Sequence, residues 1–125
     1  MKKVLIVDDD ASILFLISEV LNRNGFEPLL AYNGKDAMDL VRVHRPVLAV
    51  LDIMMPGLNG FEVCKKIKAD PELKDTKIIM LTAKTKAADI QLGLAAGAEC
   101  YFTKPFKIAE LLEKIKELTA DTKEK

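Results

Sequence analysis

The sequence predicts an α/β domain in which helices cover both faces of a parallel β-sheet. Three short segments, 4–7, 47–51 and 78–81, are continuously apolar. Such runs are typical of strands that are buried on both faces of a parallel sheet. Segments with the 3.6-residue periodicity of amphipathic helices separate them. Strands and helices alternate five times, and this order favours right-handed crossovers within one sheet.

Each of the five predicted helices has an apolar stripe. The first ends at Gly25, the second before Pro46 and the fourth at Gly97, because glycine and proline commonly end helices. On the fourth helix, Leu92 points away from the predicted stripe, so we expect it to face solvent. The five stripes are Ile13, Ile17, Val20 and Leu21; Ala37, Leu40 and Val41; Phe61, Cys64 and Ile67; Ala87, Ile90 and Leu94; and Ile108, Leu111, Leu112, Ile115 and Leu118.

Two weaker segments complete the predicted sheet. The segment 27–31 contains Pro28, which cannot donate a hydrogen bond to a neighbouring strand. We therefore place this strand at an edge of the sheet. The segment 100–102 is short, as edge strands often are.

Length and composition favour a single cytoplasmic domain. The chain has 125 residues, and we assign residues 1–120 to one domain and 121–125 to a polar tail or the start of a linker. Nineteen basic and nineteen acidic residues cancel, so direct nucleic-acid binding is not expected. No apolar run has the length of a membrane span. Cys64 and Cys100 form no metal-binding or redox motif, which suits two reduced thiols.

Polar residues follow the predicted strands at the edge where open parallel sheets bind their ligands. Asp8 and Asp9 follow the first strand, Asp52 the third and Thr82 the fourth, and Lys104 comes shortly after the fifth. Carboxylates, a hydroxyl and an ammonium group are thus expected to converge from distant segments. These residues are therefore predicted to form one functional site.

The clustered carboxylates predict a bound cation. Two unit charges ~4 Å apart repel by roughly 4 kcal/mol at an effective dielectric constant of about 20. A hard divalent cation such as Mg²⁺ would relieve this repulsion and often shares its ligands with a phosphate. A carboxylate can attack phosphorus, and Asp52 is the best candidate because it stands alone at the end of the central strand. Lys104 and Thr82 would supply charge and a hydrogen bond to the phosphoryl oxygens.

Four short segments follow one another along the chain in the order "VDDDA", "LDIMMPGLNG", "LTA" and "KPF". In this order and spacing they resemble the receiver domain of two-component response regulators, of the chemotaxis-regulator-like kind. The similarity covers essentially the whole chain. It implies a flavodoxin-like, doubly wound sheet of five parallel strands in the order 2-1-3-4-5 with five helices, which agrees with the edge strands inferred above.

The resemblance also implies functional roles for individual residues. Asp52 is expected to accept the phosphoryl group, and Asp8, Asp9, Asp52 and the main-chain carbonyl of Met54 to surround Mg²⁺. Thr82 and Lys104 are expected to contact the phosphate. The peptide bond between Lys104 and Pro105 is expected to be cis, and Tyr101 is expected to reorient together with Thr82.

The implied function is a phosphorylation-controlled switch, in which the receiver catalyses its own phosphorylation and dephosphorylation and is not otherwise an enzyme. The expected donor is a histidine kinase or a histidine phosphotransfer protein. The expected output is a downstream effector protein or domain, with no membrane or direct nucleic-acid partner.

Several residues also have purely structural interpretations. Asp10 and Asn59 are expected to cap helices, and Gly57 and Gly60 to form turns. His44 is expected to be a solvated helix-end residue and not a phosphate carrier. Lys104 could also be an ordinary surface lysine, Thr82 could simply end a strand, and Tyr101 could be an aromatic residue that covers the core.

Three rival functions remain for comparison. A haloacid-dehalogenase-like phosphatase needs a second aspartate two residues after the nucleophile, where this chain has Met54. A flavin- or nucleotide-binding module would place a glycine- or hydroxyl-rich loop after the first strand, where three aspartates would repel a phosphate. A degenerate receiver would act as an interaction scaffold without phosphorylation.

Overall fold

The computed structural model describes residues 1–121 and confirms the predicted architecture. Five parallel strands form one sheet in the order β2-β1-β3-β4-β5. Residues 122–125, most of the predicted tail, lie outside the described residues. The strands are β1 (Lys2–Val7), β2 (Phe26–Ala31), β3 (Leu48–Leu51), β4 (Lys77–Thr82) and β5 (Cys100–Thr103). The helices are α1 (Ala11–Arg23), α2 (Gly34–His44), α3 (Gly60–Ala69), α4 (Ala87–Ala95) and α5 (Ile108–Thr119).

The two weak strands lie at the two edges of the sheet, as predicted. Pro28 pairs in register with Val4 on the single neighbour of β2. An edge position tolerates proline because one side of the strand has no partner to which it must donate.

The sheet separates two apolar cores. On one face α1 and α5 pack through residues such as Leu14, Ile17, Leu111 and Ile115. On the other face the core draws mainly on α2 and α3. The interior strand β3 is fully buried, which explains its continuous apolar sequence. No helix within residues 1–121 combines the length and hydrophobicity that a bilayer span requires.

The two predicted helix caps are confirmed. The Asp10 carboxylate accepts a hydrogen bond from the Ser12 main-chain N–H at 2.9 Å. Asn59 caps α3 in a reciprocal arrangement with Glu62. Gly57 has φ +73° and lies in a loop, whereas the prediction of a turn at Gly60 is wrong. Gly60 is the first residue of α3, and a Cβ there would overlap the main-chain oxygen of Asp52.

The predicted buried stripe of α4 is wrong at two of its three residues. Leu94 is 47% exposed and Ala87 is exposed as well, whereas Ile90 is half-buried. The buried residue of α4 is Gly93, and Ala96 follows it on the same side. The fully buried positions on this side are small residues, so the spacing of the large apolar residues does not identify them. Leu92 is 54% exposed, as expected.

Candidate functional site

The carboxyl ends of the strands bring the predicted site residues together. The main-chain N–H of Asp52 donates to the carbonyl of Val7 at 3.0 Å, which fixes the end of β3 beside the end of β1. Asp8 and Asp52 directly follow these strands and are only 2% and 4% exposed. Asp9 is exposed. One carboxylate oxygen from each of the three aspartates lies within 4.8 Å of the others.

Lys104 lies between the two buried carboxylates. Its ammonium group donates hydrogen bonds to Oδ2 of Asp8 at 2.8 Å and to Oδ2 of Asp52 at 3.1 Å. Burial by itself lowers the pKa of the Lys104 ammonium, but these two hydrogen bonds and the charges of Asp52 and Asp8 together outweigh burial and raise that pKa above its usual value. The ammonium therefore stays charged and partly offsets the negative charge of the pair.

The other oxygen of each carboxylate accepts a main-chain hydrogen bond. Oδ1 of Asp8 accepts from the N–H of Asp10 at 2.9 Å, and Oδ1 of Asp52 accepts from the N–H of Met54 at 3.0 Å. Both carboxylates are thus held in a fixed orientation. Burial raises the pKa of Asp8, although the Lys104 and Asp10 hydrogen bonds oppose this change.

Thr82 completes the site at the end of β4. Its side chain is fully buried, and its hydroxyl oxygen accepts a 3.4 Å hydrogen bond from the N–H of Lys84. Its main-chain carbonyl accepts a 2.8 Å hydrogen bond from the N–H of Lys104. The peptide bond between Lys104 and Pro105 is cis. Thr82 and Lys104 are therefore linked through the backbone.

Tyr101 lies on β5, beside the loop that follows Thr82. Its hydroxyl donates a 2.8 Å hydrogen bond to the main-chain carbonyl of Lys84. The side chain is partly buried, and burial, followed by the charges of Asp89 and Asp52, raises its pKa. Sequence reasoning missed Lys84, because a main-chain carbonyl can come from any residue type.

A surface cavity of about 420 Å³ lies away from this cluster, where Lys68, Lys77 and Glu99 are among the lining residues. The Lys68 ammonium donates to Glu99 at 2.8 Å and to the carbonyl of Thr76 at 2.8 Å. These contacts tie the end of α3 to the beginning of β4. We assign them a structural role.

Comparisons with known proteins agree with the fold. Residues 4–116 match the family model described as "Response regulator receiver domain". The DNA-binding response regulators MtrA of Mycolicibacterium paratuberculosis and of Mycobacterium tuberculosis H37Rv are each 43% identical over 115 residues. The matches cover 92% of this chain, and 50% and 49% of those proteins. The chain thus spans about half the length of the curated relatives it matches.

Solved structures show the same similarity. Vibrio cholerae chemotaxis protein CheY4 aligns with a TM-score of 0.88 at 35% identity, covering 94% of this chain and 98% of that chain. The receiver domain of the Francisella response regulator 1452 aligns with a TM-score of 0.90 at 33% identity, covering 98% of this chain and 100% of that chain.

Proposed function

The chain belongs to the response regulator receiver domain family, and from that premise we propose that it accepts a phosphoryl group on Asp52 in a Mg²⁺-dependent reaction. Receiver domains are the phosphoacceptor components of two-component signalling. The observation that carries the proposal is the position of Asp52. Its buried carboxylate follows the central strand, with Asp8 directly after one neighbouring strand and Thr82 at the end of the other.

The donor set fits Mg²⁺. Three carboxylate oxygens converge within 4.8 Å, and oxygen ligands of this kind suit a hard divalent cation. We propose that Asp8, Asp9, Asp52 and the main-chain oxygen of Met54 hold the ion. When bound, Mg²⁺ neutralises negative charge on the carboxylates and on the phosphoryl oxygens.

In the proposed step, a carboxylate oxygen of Asp52 attacks the phosphorus of a phosphohistidine on the donor protein. A P–O bond forms and the P–N bond breaks, and the imidazole nitrogen keeps the electron pair and takes up a proton. The main-chain N–H of Met54 holds Oδ1 of Asp52 and so orients the nucleophile. Dephosphorylation is the attack of water on the same phosphorus, which releases inorganic phosphate and restores the carboxylate.

Lys104 and Thr82 are proposed to stabilise the phosphoryl group. The Lys104 ammonium already contacts Asp52 at 3.1 Å, so a short movement would bring it to a phosphoryl oxygen. The Thr82 hydroxyl would donate a hydrogen bond to a second oxygen. The modification adds roughly 1.5 to 2 negative charges at the site. We propose that Thr82 and Tyr101 respond together and change an interaction surface.

The proposed donor is a histidine kinase or a histidine phosphotransfer protein, and the proposed receiver of the signal is an effector protein or domain. We propose that residues 1–120 form the receiver and that it acts in the cytoplasm. The relatives named above are DNA-binding response regulators. The charge of this chain is balanced at nineteen basic and nineteen acidic residues, so we attribute no DNA contact to the receiver itself.

A phosphorylation-independent scaffold is not favoured. Such a domain would need neither buried carboxylates nor a lysine paired with them. Here Asp8 and Asp52 are both buried and both contact Lys104. Isolated buried charges are costly, so this arrangement points to a function that uses them.

Intact-mass spectrometry tests the proposal. The wild type and Asp52→Asn are incubated with a small phosphodonor, with Mg²⁺ or with a chelator. We expect one phosphoryl group on the wild type only, and only with Mg²⁺. An equal gain of mass on both proteins would contradict the assignment of Asp52.

A further inference from the structure

Gly93 faces the ring of Tyr101 with no side chain between them. A Cβ at position 93 would lie 2.9 Å from Cδ2 and 3.0 Å from Cε2 of Tyr101, and 3.5 Å from Cγ of Met80. Carbon atoms in contact normally stay about 3.5 to 4.0 Å apart. The ring therefore occupies space that any side chain at position 93 would need.

The same ring is connected to the candidate site through one residue. The Tyr101 hydroxyl donates to the carbonyl of Lys84 at 2.8 Å. The N–H of Lys84 donates to the hydroxyl oxygen of Thr82 at 3.4 Å. The position of the Tyr101 ring is thus linked both to α4 and to the loop that follows Thr82.

The segment that joins α4 to β5 is held in place, which limits the movement of the end of α4 away from the ring. The main chain of Glu99 donates to the carbonyl of Ile78 at 2.9 Å, and the Glu99 carboxylate accepts a hydrogen bond from Lys68 at 2.8 Å. Tyr101 is attached by rotatable side-chain bonds. If a side chain were added at position 93, rotation of the ring would be the easier response.

We propose that Gly93 is a positioning residue: because it has no side chain, the Tyr101 ring can lie inward against α4 with its hydroxyl on the carbonyl of Lys84. The inference deepens the proposed function and rests on it for its regulatory meaning. A residue larger than glycine shifts Tyr101 outward and breaks its hydrogen bond to Lys84.

Tyrosine fluorescence tests the position of the ring. The chain has no tryptophan and two tyrosines, so Tyr32→Phe leaves Tyr101 as the single strong emitter. Tyr101→Phe leaves Tyr32, which is 52% exposed and serves as the exposed reference. Acrylamide quenching is measured for Tyr101 with Gly93 and with Gly93→Ala. We expect Gly93→Ala to raise the Stern–Volmer constant of Tyr101 toward that of Tyr32.

A pair of melting experiments controls for folding. Alanine favours a helix over glycine by roughly 1 kcal/mol, which corresponds to a Tm increase of roughly 3 to 6 °C for a domain of this size. In a Tyr101→Ala background Gly93→Ala should show this increase. With Tyr101 present, Gly93→Ala should lower Tm or leave it unchanged.

The proposal is overturned if Gly93→Ala leaves the quenching of Tyr101 unchanged. It is also overturned if Gly93→Ala changes Tm equally in both backgrounds. If Gly93→Ala does not fold while Tyr101 is present but folds with Tyr101→Ala, the steric conflict is established. All measurements are made without metal or phosphodonor, so failure to phosphorylate Asp52 would not affect their outcome.

Discussion

Replacement of Lys104 by methionine should destabilise the domain, because it removes the only cation seen to contact Asp8 and Asp52 within the described residues. The ammonium lies 2.8 Å from Asp8 and 3.1 Å from Asp52. At an effective dielectric constant of about 20, each attraction is on the order of 5 to 6 kcal/mol. Desolvation of the three charges offsets much of this gain. Removal of one partner from a buried ion pair typically costs about 3 to 5 kcal/mol.

We therefore expect Lys104→Met to lower the free energy of unfolding by roughly 3 kcal/mol in the absence of metal. Urea unfolding monitored by circular dichroism measures the loss. Lys107→Met is the matched control, because Lys107 is exposed on the segment that leads into α5 and should change stability by less than about 0.5 kcal/mol. Asp8→Asn combined with Lys104→Met should recover part of the loss.

Mg²⁺ distinguishes charge from packing in this experiment. If the ammonium and the metal share the carboxylates, Mg²⁺ should stabilise Lys104→Met more than the wild type. If the unfolding free energy of Lys104→Met is within about 1 kcal/mol of the wild type, the buried carboxylates do not depend on this lysine. An equal stabilisation of both proteins by Mg²⁺ would show that the Lys104 ammonium and Mg²⁺ do not compete for the carboxylates.

Three further predictions concern the metal, the backbone and the thiols. Mg²⁺ at a hundredfold excess over its dissociation constant should stabilise the wild type by about 2.7 kcal/mol, and Asp9→Ala should reduce this effect in thermal melts. Gly60→Ala should destabilise the fold and slow phosphorylation, because the new Cβ would overlap the main-chain oxygen of Asp52. Gly25→Ala is the control, because the space around its Cβ is open, and it should affect stability only. Burial raises the pKa of Cys64 to about 11, so the native thiol should resist Ellman's reagent at pH 8. Because the folded protein retains the Cys64 proton more strongly than the unfolded chain, stability should fall as pH rises from 9 to 11. Cys64→Ala should reduce this dependence, and the raised pKa values of Cys100 and Tyr101 should account for part of the remainder.

The sequence predicted the parts of the structure that depend on repeated local patterns. Continuous apolar runs identified the interior strands, and Pro28 identified an edge strand. The carboxyl ends of parallel strands share one edge, so the convergence of Asp8, Asp52 and Lys104 followed from the order of the strands alone. The structure adds which atoms of these residues meet.

The parts that sequence reasoning missed depend on the absence of a side chain or on the backbone. Gly93 and Ala96 face the sheet on α4, and an apolar periodicity built from larger residues selected the wrong side of that helix. Gly60 looked like a turn residue, although its function is to allow close approach to the main chain of Asp52. The role of Lys84 lies in its peptide group, which no side-chain pattern reveals.

Borohydride reduction tests the central claim most directly, because it converts an aspartyl phosphate to homoserine and so marks the modified residue. The protein is treated with a phosphodonor and Mg²⁺, reduced, digested and mapped by mass spectrometry. The account predicts homoserine at position 52 and an unmodified carboxylate at Asp8 and Asp9. Homoserine at Asp8 or Asp9, or no homoserine in a protein that has gained a phosphoryl group, would contradict it.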